Sequence, residues 1–250
     1  LELEPENATF LNNLGWMHLE AGRLKDAEIA LKKALGIRPD FESAAGNMNA
    51  LKYLKKKKNG GMFLDFLLRP VDRKRLQQLQ DEEKYEALDP LCADYNASRL
   101  EAFKRTMLEG YDYQPHQIPN LAETLRVFLS FVNDVLSEGM FLFDDLHKID
   151  IHFKLIMHKF IFKHKDIDDE ILNDIYTSLT AFYGFLSQQK LLNKEEYQEF
   201  VSEIEGMKSE LREKMDRYNE IRHDSSISEE EKEEICEELF EGDHTWPHLW

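Results

Sequence analysis

The chain has 250 residues, 42% hydrophobic and 32% charged, with a formal net charge of −17. That is enough for one or two domains with a sizeable buried core. So acidic a chain repels nucleic-acid phosphates and an anionic membrane surface, and no apolar run approaches the roughly 20 residues a membrane span needs.

Glycine and proline are scarce, at 11 and 7 residues, which favours long helices over short strands. The charge is uneven. Residues 1–58 carry 10 Lys/Arg against 8 Asp/Glu, and the remainder 22 against 41. The second part therefore holds the acidity and would suit a basic partner. No basic segment followed by an apolar core opens the chain, so no secretory signal is expected. The first residue is Leu1 rather than Met, and the expectation is a piece of a longer chain or a processed one. Cys92 and Cys236 lie far apart without metal-type neighbours and read as reduced thiols of a cytoplasmic protein.

The first predicted elements lie in 8–41. Leu11, Leu14 and Gly15 share one helix, and Gly22 breaks it. Leu24, Ala27, Leu31, Ala34 and Leu35 share a second, and Pro39 stops it. Two short amphipathic helices joined by a tight turn make an antiparallel pair. Gly15 and Ala27 are small where such helices approach closely, and Gly22 suits the turn. Pro5 stands 34 residues before Pro39, so 1–7 has the register of the end of a preceding unit. Residues 42–58 have the register of a next first helix, with Asn49 at the position of Gly15. Lys55 to Lys58 and then Asn59-Gly60-Gly61 end it.

The Leu14-Gly15 pair, Gly22, Ala27, the Ala34-Leu35 pair and Pro39 resemble the tetratricopeptide repeat consensus in order and spacing. The usual aromatics of the first helix and the turn are Leu11 and Leu24 here. The resemblance covers 8–41 firmly and 1–58 loosely. It implies an array of helix hairpins whose inner face receives an extended peptide or a partner helix. On that face it places Asn12, Trp16 and Leu19, at i, i+4 and i+7. An exposed tryptophan beside an amide suits peptide capture. The alternative reading is that Trp16 packs on a preceding repeat or on the C-terminal bundle. Asn12 and Trp16 stand where some members carry a lysine and an asparagine that clamp a carboxylate, so that mode is not expected.

Residues 62–250 read as an acidic all-helical bundle with a tryptophan-bearing tail. A short helix is predicted over 62–68, broken by Pro70. A polar helix over 71–86 follows, then a turn at Asp89-Pro90, a helix over 96–108 and a loop over 110–115. A helix over 120–138 aligns Leu121, Leu125, Phe128, Leu129, Val132 and Leu136. Residues 149–164 are apolar nearly all round and read as one central helix. Asp166-x-x-Asp169 opens a helix carrying Ile171, Leu172, Ile175, Leu179, Phe182 and Leu186. Asn193-x-x-Glu196 caps a very long one over 193–223, with Tyr197, Phe200, Ile204, Met207, Leu211, Met215 and Tyr218 near heptad spacing, expected to pack into its own bundle. Ser228-x-x-Glu231 is a capping box for the last helix. Trp246 and Trp250 in the tail are expected to dock on the same chain.

Chemical signatures are absent. There is no Gly-rich phosphate loop, serine elbow or His-Glu-x-x-His, and no cofactor motif. Asp144, Asp145, His147, Asp150 and His152 could offer metal ligands, but they match no metal spacing, and Asp150 reads better as a helix cap. His152, His158 and His164 are six apart and do not share a helix face. A basic set of Lys55–Lys58 with Lys154, Lys159, Lys163 and Lys165 would be the nucleic-acid candidate, opposed by the surrounding acidity. The expectation is an all-α scaffold or adaptor, not an enzyme, without cofactor or metal, that binds a protein or peptide. The alternative is a regulatory or enzymatic domain in 62–250 targeted by the repeats.

Overall fold

The computed structural model describes residues 7–57, 62–109, 117–136, 141–164 and 167–243. Among these, twelve helices form and no strand does. The fold is all-α. None of these helices is long and apolar enough to cross a membrane. Residues 1–6, 58–61, 110–116, 137–140, 165–166 and 244–250 lie outside the described residues, and with them the expected loop over 110–115 and the expected docking of Trp246 and Trp250. Contacts divide the chain into two units, Leu1–Asp72 and Arg73–Trp250.

In the first unit, α1 (Ala8–Glu20) begins where Asn7 Oδ1 accepts the backbone N–H groups of Thr9 and Phe10, at 2.9 and 3.2 Å. This satisfies two otherwise orphaned donors of the first turn. Gly22, at φ +68°, closes the turn after it. α2 (Leu24–Ile37) folds back on α1 and buries Ala27, Ala30, Leu31 and Ala34. A Cβ on Gly15 would meet the Leu31 side chain at 2.6 Å, so the two helices touch through a missing side chain. α3 (Glu42–Lys56) then packs on both, burying Ala44, Ala50, Leu51 and Leu54. Leu11, Ala34 and Ala44 form the local core, with Leu35 and Phe41 against it. Asn49, the counterpart of Gly15, is exposed.

α4 (Phe63–Leu67) packs on α3. The Tyr53 and Phe66 rings meet edge to face at 5.8 Å, and Lys57 pairs with Asp65 at 3.0 Å. The stretch read from sequence as the start of the second part thus belongs with the first unit. Its aromatic residues find their apolar neighbours there.

The second unit comprises α5 (Arg73–Asp81), α6 (Tyr85–Glu109), α7 (Gln117–Val135), α8 (Leu146–Asp150), α9 (Phe153–Lys163), α10 (Asp169–Gln188), α11 (Lys194–His223) and α12 (Glu229–Leu239). α10 packs against α7 and α11, and α11 also against α9 and α12. Of the expected stripes, Leu121, Leu125, Phe128, Leu129 and Val132 on α7 and Leu172, Ile175, Leu179, Phe182 and Leu186 on α10 are buried, whereas Leu136 follows the end of α7 half-buried and Ile171 is exposed. The core is knit by edge-to-face aromatic pairs. Phe103 meets Phe182 at 5.6 Å, Phe153 meets Tyr176 at 5.8 Å, and Tyr183 meets Phe200 at 5.4 Å.

Three elements differ from the sequence reading. The polar helix expected over 71–86 ends at Asp81, and a turn with Glu83 at φ 53° separates it from α6. Pro90 does not start a turn but lies inside α6. Leu88, Cys92, Tyr95, Arg99, Ala102 and Phe103 form one buried stripe running past it, and that packing outweighs the lost hydrogen bond. The apolar stretch 149–164 is two helices, not one. α8 ends at Asp150 and α9 begins at Phe153, across a tight turn in which the His152 N–H donates to the Ile149 carbonyl at 3.2 Å. Asp150 is therefore not the cap of α9; His152 occupies that place, without a side-chain cap bond. An apolar run says which residues are buried, not whether the axis is continuous.

Candidate protein-interaction face

The three residues that the resemblance placed in a groove are not presented together. Leu19 has no accessible surface. Asn12 is buried, and its Oδ1 accepts a hydrogen bond from the Asn47 side chain of α3 at 2.9 Å. The amide is used to tie α1 to α3, not offered to a ligand. Trp16 alone is open to solvent.

Trp16 has exposed company that spacing from Asn12 did not reveal. Phe10, Trp16 and Met17 are each 37–56% exposed. On α1 they fall within an arc of about 120°. Ile29 and Ile37 of α2 are also exposed. Single exposed apolar residues are ordinary, whereas three large ones on one helix arc make this face the candidate interaction surface of the first unit. A shallow hollow of about 190 Å³ between α1 and α2, lined by Leu11, Leu14, His18, Asp26, Ile29, Ala30 and Lys33, lies in the same unit. The Arg23 Nε donates to His18 Nδ1 at 2.9 Å, which fixes the turn end of α1.

The second unit holds three polar groupings. In the first, Arg99 is buried and bonds Asp144 at 3.3 Å through both Nε and one terminal nitrogen. Arg73 bonds Asp145 at 2.6 Å. The side-chain amide of Asn96 donates to the Phe141 carbonyl at 3.1 Å and accepts from the Phe143 N–H at 2.8 Å. Asp144 and Asp145, metal candidates by composition, are thus committed to arginines.

The second grouping was invisible in the sequence because its members come from three separate segments. His158, Glu210 and Glu241 bring potential ligand atoms within 4.8 Å of one another. The places a cation would take among them are filled by ammonium groups. Lys214 lies 3.1 Å from His158 Nε2, 2.8 Å from Glu241 and 3.2 Å from Glu210. Lys154 bridges Glu241 at 2.7 Å and Glu210 at 3.3 Å. With Lys214 donating to Nε2, His158 is the neutral tautomer that donates from Nδ1 to Asp243, 3.1 Å away. Burial and the Lys214 charge push its pKa down, against the pull of Asp243. Hydrogen bonds from Lys154 and Lys214 pull Glu241 down to about 2. This arrangement is a polar clasp of the residues after α12 onto α9 and α11.

The third is a groove of about 670 Å³ beside α10, lined by Thr106, Thr177, Thr180, Tyr197, Glu205 and Lys208 among others. The buried hydroxyls of Tyr176 and Tyr183 carry no hydrogen-bond partner, and burial raises both pKa values.

The candidate basic set falls partly in each unit, and Lys58 and Lys165 lie outside the described residues. Lys55 bonds Glu28, Lys57 bonds Asp65, Lys154 bonds two glutamates, and Lys159 is buried. Both cysteines are free and buried, and burial raises their thiol pKa values. No family model, curated protein or solved structure matches the chain significantly.

Proposed function

We propose that the protein is a protein-interaction scaffold, in which residues 1–58 form part of a tetratricopeptide-type array and α1 presents its exposed face to a helical protein partner. The observation that carries this reading is the solvent-facing arc of Phe10, Trp16 and Met17. It sits in a unit where α3 begins at Glu42, 34 residues after α1 begins at Ala8. Helix hairpins with a tight glycine turn and a Gly15–Leu31 close approach support the repeat reading. Clustered aromatic and methionine side chains are what a helical partner buries best. The acidic second unit, stapled by internal ion pairs, adds a body that favours basic partners.

The test is affinity capture with the intact chain against Trp16→Ala and Ile171→Ala, the latter on the second unit and exposed in the same measure. The reading expects a partner whose retention falls at least about tenfold with Trp16→Ala and is unchanged with Ile171→Ala. Equal retention by all three chains overturns it.

A further inference from the structure

We infer that the groove between α6 and α7 is a second docking site, shaped and charged for a basic amphipathic helix of a protein partner. It lies wholly in the second unit and does not depend on the α1 face.

Size comes first. The groove holds about 1050 Å³, more than the roughly 300–1,000 Å³ of a small-molecule pocket. On α6 its lining runs from Asp89 to Leu100. At the helical rise this is about 16 Å, the length of about three turns of a bound helix. Its walls are cut short. Ala93 and Ala97, one turn apart on α6, and Ser130 on α7 all line it and are exposed. Walls this small leave room for the large side chains of an incoming helix, spaced i, i+3 or i+4, and i+7.

The floor is aromatic and already fixed. Phe141 and Phe143 line it, with ring centroids 5.9 Å apart. Asn96 of α6 grips their backbone at the Phe141 carbonyl and the Phe143 N–H. A floor held in place before binding costs a ligand little ordering.

Charge selects the occupant. The charged residues that line the groove are Asp89 on α6 and Arg126 and Asp134 on α7. Arg126 is taken by Glu123 through two hydrogen bonds. The two aspartates, both exposed, are left as the groove's net charge. They stand on different helices, so lysines or arginines on either flank of a bound helix each meet a carboxylate. An acidic partner is repelled.

The probe is a fluorescein-labelled peptide of about 14 residues, with leucines spaced i, i+3 and i+7 along one face and lysines on both flanks. Fluorescence anisotropy with the intact chain reads its affinity, and circular dichroism checks that each variant keeps the parent's helicity. Saturable binding is expected. Asp89→Asn with Asp134→Asn should weaken it about tenfold, and so should Ala93→Leu with Ala97→Leu, which fills the groove from exposed positions. Glu233→Gln with Glu237→Gln, which neutralises two exposed carboxylates of α12, should leave the affinity within about twofold. A peptide with serine in place of each leucine should not be held. Absence of binding overturns the inference, as does full affinity in the Ala93→Leu/Ala97→Leu chain. Equal weakening by the two pairs of charge changes, or retention of the serine peptide, also overturns it, because either means diffuse attraction to an acidic surface. Trp16→Ala keeps this site apart from the scaffold reading. The groove expects unchanged affinity in that variant. If Trp16→Ala abolishes binding and the groove variants do not, the peptide sits on α1, and the groove falls while the scaffold reading stands.

Discussion

Gly15 of α1 lies directly on Leu31 of α2, so close that a Cβ at Gly15 would stand 2.6 Å from the leucine Cγ and Cδ2. Leu31 is fully buried and has no room to yield. Gly15→Ala is therefore expected to destabilise the first unit by about 1–3 kcal/mol through overpacking. Gly46→Ala, inside α3 with open space around it, should instead stabilise by up to about 1 kcal/mol through helix propensity. Urea denaturation of the two variants beside the parent checks the opposite signs.

Asn47→Ala should cost about 1–3 kcal/mol, because it leaves the buried Asn12 carbonyl oxygen without its donor. The double variant Asn12→Ala/Asn47→Ala should cost less than the sum of the two single changes, since it removes both ends of the bond. A double-mutant cycle by chemical denaturation measures the coupling. Strict additivity would mean that the bond contributes nothing in solution.

His158 contributes a pH dependence of known sign. Its folded pKa lies below the ordinary value of 6.5, through burial first and the Lys214 charge second. Between the two values the unfolded chain binds more protons, so this contribution is fully present above about 6.5 and is lost as pH falls towards the folded pKa. His164 is shifted in the same direction by burial and by Lys163. The expected result is a Tm that drops between pH 7 and pH 5, with a smaller drop in His158→Gln. An identical pH profile in that variant would count against the neutral, doubly bonded histidine.

How much of this was legible from sequence depends on whether the deciding contact is local. The apolar stripes of α7, α10 and α11 follow from 3.6-residue spacing, and the caps at Asn193 and Ser228 from residue type. Their helices form where the spacing puts them. Pro90 misled because a local rule was outweighed by a buried stripe supplied by other helices. Leu19 misled because the side of α1 that is covered is decided by packing between helices, which spacing within α1 does not encode. The His158–Glu210–Glu241 grouping joins α9, α11 and the residues after α12, and no linear signal connects them.

Asp144→Asn should destabilise the second unit by about 3 kcal/mol or more, because it takes the carboxylate from a guanidinium that is 1% exposed. Arg73→Ala, at the exposed end of the same network, should cost at most about 1 kcal/mol. Thermal unfolding of the two variants side by side separates a buried pair from a surface one.

The central claim, that the α1 face is where this protein holds a helical partner, is tested most directly by site-specific photo-crosslinking. A photoreactive phenylalanine analogue is placed at Met17, and in a second chain at Tyr85 of the second unit; both positions are exposed. The account predicts adducts from position 17 whose cross-linked peptide, read by mass spectrometry, comes from an amphipathic helix of the partner. Adducts from position 85 with none from position 17 would contradict it.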